Sequence, residues 1–582
     1  MTKTIRTMKR KLILSAVMMT VCIGASAQSV ANAYKGDTNA NPISPCVFCA
    51  DPTALEYNGR LYVYGSNDHQ QFIKNGKKGE NTYGEIKSIV VFSTDDMVNW
   101  TFHGTIDTKK ICSSWVTNPW YQGYGVSWAP SVTWRTTEDG VDEFFLYFCN
   151  SSHGVGVLKA NTPIGPWKSP NNKLMIHYDT PGANRQGTNA NFDPGVTIDE
   201  NGVGWISFGG LGPSTFMPDA ARIIKLKPSM TAVDGTAVKI PAPFHFEANE
   251  LNVMDGKYVY TYCSNWASRS DYSKEWNAYK AEKGYAGNAP ETCTMCYMVS
   301  DNPMDPDSWV YKGVYGPHPG MGTNNNHSHL QKYKGEYYYL YHGAPLMEKM
   351  RELKIIDSNC GIFRSICVNK ATVNEETQKI NRVTPSKKGV EPICNLDPYK
   401  LQQAETMATC GGVEYEDFSN TSKNTSISTL GNDASRNMQV KMAEKSWIMV
   451  RGADFREGAR AFTIKARGTG TMEIRLGTRT AAAAATVEFS SATPEETTVE
   501  VSPELFKGVK NVFFVFTSVT STVYFDAWQF FDSVPEGIDD VKIGQEPEAG
   551  SNRQPLYFDL SGRRLKWPVR GINIIDGKKV VK

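Results

Sequence analysis

Three carboxylic acids and one histidine occupy matching places in repeated segments of this chain. Each precedes a glycine turn and an aromatic-rich segment by eight or nine residues: Asp51 before Gly59, Asp193 before Gly202, Glu247 before Gly256 and His327 before Gly335. Two carboxyls in different environments can serve as acid and base, as cleavage of a glycosidic bond requires. The spacing therefore predicts a site for acid–base chemistry, provided that the fold brings these side chains together.

The segments that follow these glycines predict the architecture. Tyr258, Tyr260 and Tyr262 alternate with other residues, as expected for a half-buried strand. A fifth, looser copy begins at Gly140, and no helical periodicity separates the copies. Five such copies at uneven intervals indicate an all-β fold with a five-bladed β-propeller. Because the innermost strand of each blade lines the central channel, the acids and His327 should meet near the propeller axis.

Length and charge narrow the class of protein. The 582 residues are too many for one ordinary core, so two or more domains are expected. The 62 basic and 60 acidic residues give a net charge of +2, which argues against a nucleic-acid partner. Aromatic residues make up 11% of the chain, which suits sugar-stacking surfaces as well as strand cores. We expect a monomer.

The N-terminus has the pattern of a secretory signal. Lys9-Arg10-Lys11 precedes an apolar run from Leu12 to Ile23, and Ala25-Ser26-Ala27 has the small-x-small form of a cleavage site. The apolar run is too short to span a membrane, and no later stretch is apolar enough to do so. Residues 1–27 are therefore predicted to be a signal peptide, and the mature protein to be exported without a membrane span.

Two cysteine pairs allow more than one interpretation. Cys46 and Cys49, and likewise Cys293 and Cys296, have the spacing of a four-thiolate zinc site. Buried free thiols or one or two disulfides are the more ordinary outcome in β-rich segments. The sequence leaves these alternatives open.

Several motifs in order give the chain a family resemblance. Ala50-Asp51-Pro52, Trp128-Ala129-Pro130, Phe192-Asp193-Pro194, Phe246-Glu247-Ala248, Asn326-His327 and Arg364-Ser365 together resemble glycoside hydrolase family 43 over residues 34–385. These are five-bladed propeller enzymes that remove arabinose or xylose from plant polysaccharides. The segment from Tyr260 to Trp266 looks most like the arabinoxylan-debranching members.

The resemblance implies a role for each acid. Asp51 would be the general base, Glu247 the general acid, and Asp193 the residue that orients the sugar and raises the pKa of the acid. The family is inverting, so the carboxyls of Asp51 and Glu247 should lie about 6.5 to 9.5 Å apart, with room for one water. Glu250 lies three residues past Glu247 and competes with it for the acid's place. The offset to Gly256 favours Glu247 and leaves Glu250 as a supporting or surface residue.

Four further residues are candidates for binding substrate. Trp128 and Trp266 would form apolar walls for a sugar ring, unless they pack in the core. His327 would bind a channel ion through water, contact sugar or fill the channel. Arg364 would hold a carboxylate or a sugar hydroxyl, unless it forms a structural ion pair.

The remaining chain predicts two further parts. Short alternating strands over residues 410–532 indicate a β-sandwich (jelly-roll) module. Its ends resemble family 6 carbohydrate-binding modules, and the resemblance implies a structural calcium ion held by Glu414, Glu416 and Asp526. Residues 533–582 look like the sorting domains of exported proteins from certain Gram-negative bacteria, or a minor accessory β domain.

These observations predict an exported inverting hydrolase that needs no cofactor for its chemistry. Its substrate would be the α-L-arabinofuranosyl branches of arabinoxylan or a related plant cell-wall polysaccharide. A β-xylosidase with the same catalytic residues is one alternative. A glycan-binding propeller without catalysis is the alternative of another class.

Overall fold

The structure, a computed structural model, describes residues 30–76, 79–113, 125–320, 325–413, 427–430 and 437–535, with four short strands nearer the C-terminus. The predicted signal peptide at 1–27 lies outside the described residues. The chain divides into two compact units, with the boundary between Val534 and Pro535.

Five antiparallel sheets confirm the five-bladed propeller. The first blade holds β1 Ala50–Tyr57, β2 Arg60–Ser66, β3 Ile89–Thr94 and β4 Trp100–Ile106; the second β5 Trp128–Thr136, β6 Asp142–Cys149 and β7 Val155–Ala160; the third β8 Gly195–Ile198, β9 Gly204–Phe208, β10 Arg222–Leu226 and β11 Val233–Lys239; the fourth β12 His245–Met254, β13 Lys257–Ser264, β14 Met295–Ser300 and β15 Val310–Gly316; the fifth β16 Ser328–Tyr333, β17 Glu336–Gly343 and β18 Ser365–Ala371. A short pair, β19 Val373–Asn374 and β20 Lys379–Ile380, follows the last blade.

Short helices lie between the strands. They are α1 Asp68–Asn75, α2 Thr108–Ile111, α3 Ser273–Lys283 and α4 Pro345–Glu352. The side chain of Asn67 caps α1 by accepting a hydrogen bond from the N–H of Gln70, and the side chain of Asp107 caps α2 in the same way. None of the helices in the described part of the chain is long and apolar enough to cross a membrane.

The segment before β1 closes the ring against the last blade. The N–H groups of Ile43 and Cys49 donate to the carbonyls of Ile366 and Arg364, each at 2.9 Å. The Asn41 side chain accepts from the N–H of Val368 at 2.7 Å and donates to its carbonyl at 2.9 Å. Residues 41–49 therefore lie beside β18 and join the first blade to the fifth.

The second β-rich part is one sheet that curls on itself. Its strands are β21 Gln402–Gln403, β23 Thr409–Gly411, β24 Ile427–Leu430, β25 Asn437–Met442, β26 Trp447–Asp454, β27 Ala461–Leu476, β28 Ala483–Glu500, β29 Val509–Val519 and β30 Val523–Phe531. The first half of β27 pairs with β30 and the second half pairs with β29. Gly468 stands at the change of partner with a φ of 104°, where a Cβ atom would lie 2.3 Å from the carbonyl oxygen of Thr522.

The segment between the propeller and the curled sheet is itself structured. The strand β22 Thr406–Met407 pairs with β4 and extends the first blade. The side chain of Asn99 accepts from the backbone N–H of Arg451 and donates to its carbonyl, both at 2.8 Å. Buried apolar residues of the first blade and of the curled sheet, among them Trp100 and Phe514, belong to one cluster. The propeller and the curled sheet therefore share a core.

The unit after Val534 contains a small sheet of short strands. These are β31 Tyr557–Phe558, β32 Arg564–Leu565, β33 Ile572–Ile575 and β34 Lys578–Val581, in the order β32-β31-β33-β34. A role in sorting stays a prediction.

The cysteine pairs do not form the zinc site that their spacing allowed. None of the eleven cysteines in the described ranges forms a disulfide, and all but Cys394 are buried. Within those ranges, no group of three or more His, Cys, Asp or Glu side chains could hold a metal ion. The zinc hypothesis is wrong because the two pairs lie in different blades, where each thiol packs in the interior.

Candidate active site

A cavity of about 190 Å³ brings the predicted acids together. Its described lining contains six of the predicted site residues: Asp51, Asp193, Glu247, Trp128, His327 and Arg364. It also contains residues that the sequence analysis missed: Tyr83, Ala129, Phe192, Leu211 and Asn325. The catalytic candidates therefore come from all five blades and meet at one small opening, which we call the catalytic cavity.

A repeated backbone device places residues in this cavity. Asp51 and Asp193 have φ angles of 50°, and Ala129 has a φ angle of 40°; each of these residues stands before a proline. The strand register shifts at the start of β1, β5 and β12, as in a β-bulge. Bulges re-aim side chains, and these shifts lie at Asp51, Ala129 and Glu247, whereas Asp193 shares with Asp51 the positive φ and the following proline. Ala129 holds in the second blade the place that an aspartate holds in the first and third.

Asp51 lies among cationic and polar groups. Its Oδ1 is 2.7 Å from Nη1 of Arg364 and 3.2 Å from Nδ1 of His342. Burial opposes ionisation, but Arg364 and His342 outweigh it and hold the pKa of Asp51 well below its usual range. Asp51 is therefore a carboxylate throughout the physiological pH range.

Arg364 is fixed by a residue that sequence reasoning missed. Its Nε and Nη2 donate to the two carboxylate oxygens of Asp68 at 2.9 and 2.8 Å, and its backbone N–H donates to the same carboxylate at 2.9 Å. Its guanidinium carbon lies 5.1 Å from the ring centroid of Tyr83. The prediction left open whether Arg364 holds sugar or a carboxylate, and its contacts are with the carboxylates of Asp51 and Asp68.

Asn325 links the two ends of the catalytic cavity. Its Oδ1 accepts from Nη1 of Arg364 at 2.7 Å, and its Nδ2 donates to Oε1 of Glu247 at 3.1 Å. Arg364 and Asn325 therefore stand between Asp51 and Glu247. The signal for this role in the sequence is weak, since Asn325 only precedes the Asn326-His327 motif. The separation of about 6.5 to 9.5 Å between the two carboxyls stays a prediction.

The pKa values of Glu247 and Asp193 are shifted upward, in the direction opposite to the shift of Asp51. Burial, followed by the charges of Asp193 and Asp51, raises the pKa of Glu247 well above its ordinary value. Burial and the charge of Asp51 raise the pKa of Asp193 to about 7. The sequence analysis attributed the shift of Glu247 to Asp193, whereas burial in the channel is the larger cause.

Backbone and thiol contacts hold Asp193 against the fourth blade. Its Oδ2 accepts from the N–H of Ala248 at 2.9 Å, and its carbonyl accepts from Nδ2 of Asn249 at 2.9 Å. The Cys149 thiol donates to Oδ1 at 3.6 Å and accepts from the backbone N–H of Asp193 at 2.8 Å. These contacts fix Asp193 next to the strand that carries Glu247.

Trp128 and Trp266, both predicted to contact the sugar ring, lie in different surroundings. Trp128 lines the catalytic cavity, and its Nε1 donates to the carbonyl of Tyr83 at 3.0 Å. Trp266 packs edge-on against Phe246, with ring centroids 4.5 Å apart, and borders the core shared by the fourth and fifth blades. It is not among the described lining residues, so its contacts match core packing. Phe192 and Leu211 supply the apolar surface that the prediction assigned to it.

His327 and Glu250 lie in the channel. Burial lowers the pKa of His327 to about 4 although Asp51 opposes the shift, so its imidazole is neutral. Its Nδ1 is 3.8 Å from Oδ1 of Asp51. Glu250 is fully buried and lies 3.2 Å from Nδ1 of His329. The surface alternative for Glu250 is therefore wrong, and it is a buried ion-pair partner outside the described lining.

The predicted calcium ligands are not assembled in the described residues. Glu414 and Glu416 lie outside them. Asp526 is buried, and its Oδ2 lies 2.8 Å from Nζ of Lys465, so an ammonium group already balances this carboxylate. This does not fit a site built on Asp526, since calcium prefers several hard oxygen ligands. Neither the calcium ion nor an ion near His327 has support from a metal-binding group in the described ranges.

A small cavity on a propeller, with one ionised carboxylate and one carboxyl held protonated, defines a hydrolase of the glycosidase type. The chain belongs to the glycosyl hydrolases family 43, which it matches over residues 39–377. It is 34% identical over 517 residues to an arabinoxylan arabinofuranohydrolase of Paenibacillus polymyxa, covering 84% of this chain and 74% of that one. It is also 34% identical over 511 residues to an arabinoxylan arabinofuranohydrolase of Bacillus subtilis (strain 168), covering 84% of this chain and 92% of that one.

A solved structure extends the similarity beyond the propeller. The crystal structure of a family 43 arabinoxylan arabinofuranohydrolase from Bacillus subtilis, in complex with cellotetraose, superposes with a TM-score of 0.71 at 32% identity. The match covers 87% of this chain and all of that one. The likeness therefore includes the curled sheet as well as the propeller.

Proposed function

We propose that this protein hydrolyses terminal α-L-arabinofuranosyl branches of arabinoxylan or a related hemicellulose, with inversion at the anomeric carbon. The observation that carries the proposal is that Asp51 and Glu247 line one cavity, where the pKa of Asp51 is lowered and the pKa of Glu247 is raised. The names of the two relatives that are 34% identical support the choice of arabinose over xylose.

The proposed reaction divides the work between the two carboxyls. Glu247 donates its proton to the glycosidic oxygen as the bond to the leaving xylan chain breaks. Asp51 accepts a proton from a water molecule that attacks the anomeric carbon from the opposite face. Burial and the charge of Asp193 raise the pKa of Glu247, and Arg364 lowers the pKa of Asp51. Each carboxyl is therefore in the state that its step requires at neutral pH.

The size of the catalytic cavity supports action on one terminal sugar. Its volume of about 190 Å³ is below the range of about 300–1,000 Å³ found for pockets that hold drug-sized ligands. Phe192, Leu211 and Trp128 offer apolar surface to the face of a sugar ring. A single furanosyl residue would enter, and the xylan chain would stay outside.

Arabinose release from arabinoxylan tests this proposal. We expect rapid hydrolysis of nitrophenyl α-L-arabinofuranoside and little of nitrophenyl β-D-xyloside; the reverse preference would establish the β-xylosidase alternative. Proton NMR of the first product anomer should show inversion. Glu247→Gln should lose about 10²–10⁴-fold in turnover and keep glycan binding. A wild-type protein that binds arabinoxylan without turnover would refute the enzyme and leave the non-catalytic propeller.

The finer features of the molecule are proposed together with this activity. The protein is exported after removal of residues 1–27, acts as a monomer, and uses the curled sheet as a family 6-like module to hold polysaccharide. Mass spectrometry of the secreted chain and its mass in solution test the first two. Binding of insoluble xylan by the full chain, with and without calcium and a chelator, tests the third and the calcium ion that Glu414, Glu416 and Asp526 were predicted to bind.

A further inference from the structure

A second cavity, lined by residues of α1, of the segment before β3 and of α2, carries an excess of positive charge. We call it the lysine cavity. It has a volume of about 530 Å³, and its described lining includes Lys74, Lys87, Lys109 and Lys110 together with Glu85 and Asp107. Four ammonium groups therefore face two carboxylates.

Both carboxylates already have partners within the protein. Oε2 of Glu85 lies 2.6 Å from Nζ of Lys87. Oδ1 of Asp107 caps α2 by accepting from the backbone N–H of Lys110 at 2.9 Å. Lys74, Lys109 and Lys110 are exposed and form no ion pair with any residue in the described ranges. Their charges are therefore available to an anion from outside the protein.

Two chain segments connect the lysine cavity to the catalytic cavity. Helix α1 holds Arg364 through Asp68 at its start and carries Lys74 near its end, about 9 Å further along the helix axis. After α1, Tyr83 lines the catalytic cavity, and Glu85 and Lys87 line the lysine cavity. A polysaccharide whose branch enters the catalytic cavity would therefore place nearby substituents close to the lysines.

The side chain of Gln70 fixes the wall between the two segments. Its Oε1 accepts from the N–H of Lys87 at 2.9 Å and from Oγ of Ser88 at 2.8 Å. Oε1 of Gln71 likewise accepts from the backbone N–H of Glu85 at 2.9 Å. The lysine cavity therefore has a rigid inner wall, and Ile73 adds apolar surface that suits a sugar ring.

We propose that the lysine cavity binds the carboxylate of a uronic acid substituent, so that the preferred substrate is an acidic, glucuronate-bearing arabinoxylan. This inference rests on the proposed function. Neutral pentoses and hexoses carry no charge, so a hemicellulose acquires negative charge through its uronic acids. Lysine, a compact and mobile point charge, suits a carboxylate that arrives on a flexible branch.

A matched pair of substrates tests the inference. One is an arabinoxylan oligosaccharide with a glucuronosyl substituent, and the other is the same oligosaccharide after reduction of that carboxyl to a primary alcohol. We expect kcat/KM for arabinose release to be about fivefold higher for the acidic member at low salt, the size of one exposed ion pair. The difference should shrink at high salt, because exposed charges are screened.

Charge-removing variants locate the effect. Lys74→Gln combined with Lys109→Gln should abolish the preference for the acidic member and leave kcat/KM for the reduced member unchanged. Lys312→Gln, which removes an exposed lysine from β15 of the fourth blade, should keep the preference. Equal rates on both substrates, or a preference that survives the double variant, would overturn the inference. Failure to release arabinose from either substrate would instead refute the proposed function and this inference with it.

Discussion

The contact between Arg364 and Asp51 sets the pH below which the proposed base stops working. Nη1 of Arg364 lies 2.7 Å from Oδ1 of Asp51, and both side chains are buried. With charge centres about 4 Å apart and an effective dielectric constant of about 20, the attraction is about 4 kcal/mol, or about 3 pKa units. Replacing Arg364 by methionine removes this attraction, so the tendency of burial to raise the pKa of Asp51 is less opposed. We expect the pKa of Asp51 to rise by about 2 to 3 units.

The pH dependence of kcat/KM for arabinose release measures this shift. Its acid limb reports the free enzyme's base, so the wild-type limb should lie at very low pH, and the limb of Arg364→Met should move up by about 2 to 3 units. Arg364→Lys keeps the positive charge but loses the two-pronged hold on Asp68. Its acid limb should stay low even if kcat falls, which separates charge from position.

The stability of the variant must be measured beside its activity. Loss of Arg364 leaves Asp68 buried without its cation, which costs about 3–5 kcal/mol. Arg364→Met is therefore also made with Asp68→Asn, and the urea midpoint establishes that the double variant is folded. A folded double variant whose acid limb coincides with that of the wild type would refute Arg364 as the cause of the low pKa of Asp51.

Three further predictions concern the same residues and the curled sheet. Asp193→Asn should stabilise the protein at pH 8 by on the order of 3 kcal/mol, because the pKa of the Asp193 carboxyl is about 7 in the folded protein and lower in the unfolded chain. The gain should vanish below pH 4, and a gain that persists there in urea titrations would contradict the reasoning. Cys149→Ala should move the basic limb of kcat/KM toward lower pH by a fraction of a unit, because Asp193 loses a hydrogen-bond donor, is neutral more often and raises the pKa of Glu247 less. Cys149→Ser should restore the wild-type profile, and an unshifted Cys149→Ala profile would exclude a role for the thiol. Gly468→Ala should lower the free energy of unfolding by more than Gly477→Ala, since a Cβ at position 468 would lie 2.3 Å from the Thr522 carbonyl oxygen and a Cβ at position 477 has nothing within 4 Å. Equal urea midpoints for the two variants would count against this close approach.

Equal spacing was sufficient to predict the convergence of the acids. A propeller repeats one strand position around an axis, so Asp51, Asp193 and Glu247 could be aligned by their distance from a glycine turn alone. A local signal also accompanies two of these acids, since Asp51 and Asp193 both have a positive φ and both precede a proline. Local sequence therefore determined which residues face the channel.

Partners from other blades could not be predicted in this way. Asp68 and Arg364 are 296 positions apart, and no local pattern near Asp68 indicates that its carboxylate holds a guanidinium. Sequence alone allowed Glu250 to be a supporting or a surface residue, because its partner His329 lies in the next blade. These are long-range contacts, and spacing along one chain contains no information about them.

The two halves of the catalytic cavity depend on different parts of the fold. The base belongs to the ring closure: Asp51 is in the first blade, Arg364 precedes the last strand of the fifth, and the Arg364 carbonyl accepts from Cys49 where the two blades join. The acid belongs to neighbouring blades, because the N–H of Ala248 and the side chain of Asn249 tie Asp193 to the strand that carries Glu247. Loosening the ring closure therefore disturbs the lowered pKa of the base first. The raised pKa of the acid persists as long as the third and fourth blades stay packed together.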